Sequence, residues 1–235
     1  GGGIFNTASG WSSTVGGGGA GGFEGNTASG NWSTVGGGYL NVAGKACVGG
    51  TNDGKACQSN TDCPGGSCST ATPDYATVGG GANNTASGDY STVAGGRSNS
   101  ASAAYTSIGG GGERTPGTPA TANRVTDDYG TVGGGGNNQA GDSAGTTVDR
   151  QYATVGGGES NTASGDSSTV GGGVQNTASG YLSIVGGGFF NIASGENSTI
   201  GGGYGNTASG LTSTTVGGGQ FNGASGSTAT VGGGR

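Results

Sequence analysis

The stretch Gly171–Gly210 reads GGGVQNTASGYLSIVGGGFFNIASGENSTIGGGYGNTASG. It states one pattern three times: three glycines, two variable residues, Asn-Thr/Ile-Ala-Ser-Gly, two more variable residues, then Ser, a β-branched residue and Val or Ile. Extended outward, the pattern is a 15-residue unit, G-G-G-x-x-N-T-A-S-G-x-x-S-T-V, with twelve copies beginning at residues 1, 21, 36, 79, 94, 109, 133, 156, 171, 186, 201 and 217. Position fifteen is always β-branched and apolar: Val15, Val35, Val78, Val93, Ile108, Val132, Val155, Val170, Val185, Ile200, Val216 and Val231. Position six is Asn in eleven units, among them Asn6, Asn26, Asn84, Asn161, Asn176, Asn191 and Asn206, and Ala follows two residues later in the same eleven.

A period this short excludes helical repeats and propeller blades, which need longer units, and glycine at this density excludes long helices. It suits one turn of a thin parallel β-solenoid, or β-roll, with two short strands and two corners. T-A-S and S-T-V are the strand segments, alternating inward and outward, with small apolar Ala and Val facing in. Gly10 and the triplets mark corners, where positive φ or close backbone approach excludes side chains. Stacked coils would align the Asn column as an amide ladder.

The totals agree with a repeat structure and with little else. Of 235 residues, 64 are Gly, none is Met or His, and 29% are hydrophobic, a composition that without periodicity would read as a linker. A net charge of −6, from 7 basic and 13 acidic residues, disfavours nucleic acid or an anionic membrane as partner. No window has the ~18 apolar residues of a membrane span. One coil buries so little apolar surface that rolls are expected to pack side by side, stack end to end, or both. No polar capping repeat covers the end coils, so flanking sequence or neighbours in a filament are expected to do so.

The segments ASGENSTIG (193–201), ASGDSSTVG (163–171) and ASGDYSTVA (86–94) resemble the head repeats of trimeric autotransporter adhesins (YadA-like heads). Those follow A-x-G-x-x-S-x-A-(I/V)-G in a unit of about fourteen residues. The resemblance covers nearly the whole chain outside three insertions. It implies a left-handed roll, three rolls packed as a trimer, and adhesion at a cell surface. The 15-residue unit and the Thr before Val depart from the family pattern.

The whole chain, 1–235, therefore reads as a single repeat solenoid interrupted at about residues 45–72, 113–126 and 143–149. The first insertion holds all four cysteines, Cys47, Cys57, Cys63 and Cys68. No C-x-x-C pair and no His accompany them, so two disulfides are expected rather than zinc. Spacing leaves all three pairings open. Disulfides point to an oxidising, extracellular compartment. Position twelve adds a column of aromatics over six consecutive coils, Trp32, Tyr75, Tyr90, Tyr105, Tyr129 and Tyr152. It is a candidate contact ladder, read either as packing against a neighbouring roll or under the loops, or as a flat platform for carbohydrate or protein.

The expected function is a structural or adhesive extracellular fibre, homo-oligomeric as a trimer or filament, that binds other cells, matrix or glycans through its surface. The alternative is an ice-binding solenoid using the Thr columns at positions seven and fourteen, although Val42, Gln139 and Ile192 interrupt the first. No enzyme, cofactor or metal site is expected. Histidine is absent, the acidic residues are scattered, no G-K-[ST] follows a glycine run, and the Asp of the calcium-binding G-G-x-G-x-D repeat is missing.

Overall fold

The computed structural model describes residues 3–19, 25–48, 57, 62–68, 74–115, 117–118, 121–144 and 146–235. The chain divides into two compact units, Gly1–Ala122 and Asn123–Arg235, built from the same coil. Each coil contributes a two-residue strand at positions seven and eight, called here the Ala strand. A second, the Val strand, takes positions fourteen and fifteen. Among the described residues there are 12 strands of each kind.

In the first unit the Ala strands are Thr7–Ala8, Thr27–Ala28, Val42–Ala43, Thr85–Ala86 and Ser100–Ala101, paired parallel and in register. Its Val strands, Thr14–Val15, Thr34–Val35, Thr77–Val78, Thr92–Val93 and Ser107–Ile108, form a separate parallel stack. The second unit repeats this. Its Ala strands run from Arg124–Val125 and Gln139–Ala140 to Gly223–Ala224. Its Val strands run from Thr131–Val132 to Thr230–Val231. A one-residue parallel ladder at position four joins successive coils, as in Glu159, Val174, Phe189 and Tyr204. The chain is thus an all-β parallel solenoid. The strands form because β-branched Thr and Val favour extended backbone and because the residues at and beside each strand donate to carbonyls of the next coil: Thr162 N–H to Asn176 C=O at 2.8 Å, Gly171 N–H to Val185 C=O at 2.9 Å.

The core is narrow. Position eight (Ala28 to Ala208) and position fifteen (Val35 to Val216) are fully enclosed, and so is the Asn column from Asn26 to Asn206. Val15 and Val231, on the first and last Val strands, are half-buried. Position thirteen completes the interior: Ser33, Ser91, Ser168, Ser183, Ser198 and Thr214 are all 0% exposed, as are Ala76 and Ala153. Each Asn ties three coils together. Asn176 donates from Nδ2 to Gly172 O in its own coil (3.0 Å), to Gly188 O in the next (2.8 Å) and to Asn161 Oδ1 in the previous one (3.1 Å). Its backbone N–H also reaches Asn161 Oδ1 at 3.0 Å.

The glycine triplet has two steric roles and one open position. A Cβ on the first glycine would lie on the next coil's carbonyl (Gly186 to Gly201 O, 2.4 Å), and the third is left-handed with the same conflict (Gly188, φ +93°, Gly203 O at 2.2 Å). A Cβ on the middle one, Gly187, would meet nothing nearer than 3.8 Å. Nothing in the roll explains why that residue is glycine.

Two expectations need correction. The second insertion is shorter than residues 113–126, because Arg124–Val125 is an Ala strand paired with Gln139–Ala140 and Asn123 joins the amide column, where its Oδ1 accepts from Asn138 N–H at 3.0 Å. The far side of the insertion thus completes a coil whose position six is missing from the simple alignment. Left-handed backbone is also not confined to glycines. Every position-twelve residue has φ between 50° and 61°, from Ser12 (54°) and Trp32 (52°) to Tyr129 (61°) and Thr228 (58°).

Candidate interaction surface

The corner between the Ala and Val strands is a four-residue turn closed by position thirteen N–H donating to position ten C=O, 3.1 Å for both Ser91 to Gly88 and Ser183 to Gly180. Left-handed backbone on a non-glycine residue costs on the order of 1–3 kcal/mol, and the stack holds it in place. Tyr75, Tyr90 and Tyr105 each donate their N–H to the position-eleven carbonyl of the preceding coil (Asn31, Asp74 and Asp89) at 2.7–2.9 Å. With the backbone fixed alike in each coil, the side chains line up in one file.

In the first unit that file is Trp32, Tyr75, Tyr90 and Tyr105, with ring centroids 4.8–5.0 Å apart and planes within 8° of parallel. Trp11 closes it edge-on against Trp32 at 4.8 Å and 72°. The stacking decides what the ladder can offer. The faces of Tyr75 and Tyr90 are covered by their neighbours, so the exposed half of Tyr90 (48%) is a ring edge with its hydroxyl. A flat platform on which a sugar could stack is therefore not what the ladder presents. It is a comb of phenols at strand spacing, flanked at position eleven by Asp74 and Asp89, where Asp74 N–H donates to Asp89 Oδ1 at 3.1 Å. Desolvation, then the neighbouring Tyr75, Tyr105, Asp74 and Asp89, push the Tyr90 phenol above its ordinary value, so it stays protonated and available as a donor.

In the second unit Tyr129 and Tyr152 stack at 4.8 Å and 12°, after which the column turns to Ser167, Leu182 and Asn197. A second aromatic group lies at the opposite corner, positions four and five: Phe189 against Phe190 (4.3 Å), Phe189 stacked on Tyr204 (5.4 Å), and Tyr204 against Phe221 (4.8 Å). The column count at position twelve does not find it. Ile184, Ile192 and Leu211 are also exposed in this unit, the two isoleucines standing where other coils carry Thr.

The insertions leave at the corners. The cysteine insertion departs after Gly44 at position nine and returns beside Tyr75. The third departs after Asp142 at position ten and returns beside Tyr152. The second leaves at the opposite corner, after Gly112, and Glu113 anchors it. The Ser98 hydroxyl and the Gly117 N–H (2.6 Å) donate to its carboxylate, and Arg97 Nε lies 3.4 Å away. The Ser98 hydrogen bond first, and then Gly117, Arg97 and Thr118, hold its carboxyl below the usual glutamate range against the opposing effect of desolvation. In the cysteine insertion the pairs are Cys47–Cys63 and Cys57–Cys68, and an antiparallel pair, Cys47–Val48 with Ser67–Cys68, forms its base. The cysteines close on one another as a small buried cluster. These two bonds place the chain in an oxidising compartment.

Among the described residues no helix is long and apolar enough to cross a membrane. No protein-family model and no curated protein matches the chain, so its function has to be read from its own geometry.

Proposed function

We propose that the chain is a non-enzymatic structural protein of an extracellular or cell-surface fibre, its rolls associating as a trimer, end to end, or both. The corner surfaces are its contacts with other cells, matrix or glycans. The observation that carries this reading is the closed interior: Asn, Ala, Val and position thirteen fill every coil, and what remains for interaction is a repetitive exterior. The exposed Ile184, Ile192, Leu211 and Phe221 are apolar surface that a neighbouring roll would cover. The resemblance of ASGDSSTVG and its counterparts to trimeric adhesin heads adds the trimer and the cell-surface setting. Since stacked rings expose edges and hydroxyls, glycan or protein contact at the Tyr75–Tyr105 comb would run through hydrogen bonds.

Native mass spectrometry of the purified chain, followed by negative-stain imaging of the same sample, tests the proposal. A compact trimer or uniform filaments support it, and a monomer at all concentrations refutes the assembly. The two threonine columns belong to different stacks, so neither sheet carries the broad two-row hydroxyl face that would favour ice binding. The expected thermal hysteresis is nil.

A further inference from the structure

Position ten of the coil is glycine at Gly10, Gly88, Gly165, Gly180, Gly195 and Gly210, and a Cβ there would strike the next coil's carbonyl, 2.0 Å from Gly30 O at Gly10 and 2.1 Å from Gly195 O at Gly180. Asp127 occupies this position. It fits because the following coil breaks pattern on its behalf. That coil has Gly141 where most others have Ser, and a Cβ on Gly141 would lie 2.1 Å from Asp127 Oδ2. It then leaves the roll after Asp142 as the third insertion. The space so opened holds the Asp127 carboxylate, 1% exposed.

The pocket is only half satisfied. Asp127 Oδ2 accepts from the Asp142 N–H and the Thr126 hydroxyl, both at 3.0 Å. Asp127 Oδ1 is buried with no hydrogen-bond partner among the described residues. One carboxylate oxygen each from Asp127, Asp142 and Asp149 lie within 4.8 Å of one another. The cation beside them is Arg150, whose Nε is 3.5 Å from Asp142 Oδ2, while Asp142 Oδ1 accepts from Ala144 N–H at 2.8 Å. Three converging carboxylates against one guanidinium leave an excess of negative charge around a buried, unpartnered oxygen, an arrangement that needs a counter-charge.

We propose that Asp127, Asp142 and Asp149 bind one divalent cation of the calcium type, which fastens the two ends of the third insertion to the corner of the roll. The donor set is all oxygen, the choice of a hard cation, and its irregular mix of one buried and two more exposed carboxylates suits the flexible coordination of calcium better than the strict octahedron of magnesium. Water and nearby backbone carbonyls would supply the remaining ligands. The charges then close: three carboxylates, one guanidinium and one divalent ion sum to zero. The site differs in kind from glycine-run calcium repeats, because it is made once, from a corner and an insertion, and the sequence pattern gives no sign of it.

Calorimetric titration of the chelator-treated full chain with calcium chloride at neutral pH tests this, with Asp149→Asn and Asp142→Asn alongside. Asp149 is exposed, so its variant keeps the roll, which circular dichroism verifies. The expected result is one equivalent bound, with a Kd of about 10⁻³ M or tighter as in extracellular calcium modules, weakened at least tenfold in either variant. No saturable heat at millimolar calcium, or the same binding in both variants, overturns the proposal.

Discussion

Replacing Asn191 with alanine removes one rung from the middle of the amide ladder, and the structure sets the size of the effect. Asn191 is 0% exposed. Its two Nδ2 hydrogens are shared among Gly187 O (3.0 Å), Gly203 O (2.9 Å) and Asn176 Oδ1 (3.0 Å), and its Oδ1 accepts from the Asn206 backbone N–H and Nδ2, both at 3.0 Å. Alanine leaves the Asn206 N–H buried without an acceptor, about 1–3 kcal/mol, and removes two net hydrogen bonds at about 1 kcal/mol each. The total is roughly 3–5 kcal/mol, a large part of the stability of an ordinary domain. Asn206 Nδ2 keeps Gly202 O and Gly219 O, and Gly203 O keeps the Phe189 N–H, so the loss does not grow beyond this. Denaturant unfolding followed by circular dichroism measures it, with Asn222→Ala, at a half-buried rung, expected to cost clearly less. A change of under about 1 kcal/mol at Asn191 would mean that the ladder is incidental to stability and that the Val column alone holds the coils.

Three further outcomes follow from single positions. Gly186→Ala puts a Cβ 2.4 Å from Gly201 O, whereas Gly187→Ala meets nothing nearer than 3.8 Å. The first should lower stability by about 3 kcal/mol and the second change it by under about 1 kcal/mol, and equal melting temperatures would refute the stacking geometry. Ser183 is fully buried and its hydroxyl has no hydrogen-bond partner among the described residues, so Ser183→Ala, the residue native at positions 76 and 153, should raise stability by about 1 kcal/mol; a loss of that size would reveal a hidden partner. Glu113 has its carboxyl pKa lowered by Ser98 and Gly117, so its contribution is complete above the unfolded value near pH 4.3 and disappears as pH falls through the lower native one. The stability difference between the parent chain and Glu113→Gln should shrink over that range, and a difference that does not vary with pH would show that the carboxylate is not the anchor.

What could be read from the sequence is what repeats without exception. Val15 to Val231 and the Asn column recur in phase because each must fit the same narrow interior, and a mismatch would break two neighbouring coils at once. The corners were hidden for the opposite reason. Position twelve accepts Trp, Tyr, Ser, Leu, Asn or Thr, so nothing in its composition announces a left-handed residue. That conformation comes from the neighbouring coil's hydrogen bond, which exists only after stacking. Asn123 was hidden by arithmetic, since the insertion displaces it from the phase of the repeat. The cysteine pairing depends on how the Cys47–Val48 and Ser67–Cys68 strands meet, and spacing does not encode that. Asp127 was concealed by both effects, a corner residue next to one insertion whose space is created by another.

The same geometry limits where this chain can carry specific chemistry. Inside the coil the fully buried side chains are no larger than Ile, and polar ones other than Asp127 survive only within the ladder's fixed hydrogen bonding or as small buried hydroxyls. On the strands, position fourteen is Thr in all coils but those of Ser107 and Ile184, while position seven is Thr in half of them and elsewhere Val42, Ser100, Arg124, Gln139, Ile192 or Gly223. Positions four, five, eleven and twelve are different, because each lies at a corner where the side chain leaves the stack while the backbone is held by the neighbouring coil. These positions carry the phenol comb, the Phe189–Phe221 group and the Asp74–Asp89 file, and the same corners release all three insertions. A corner is therefore both rigid and permissive: the ladder fixes its backbone, and substitution there disturbs no core contact. Replacing Tyr75, Tyr90 and Tyr105 together with serine, the residue native at positions 12 and 167, should accordingly leave the fold intact while removing whatever the comb binds.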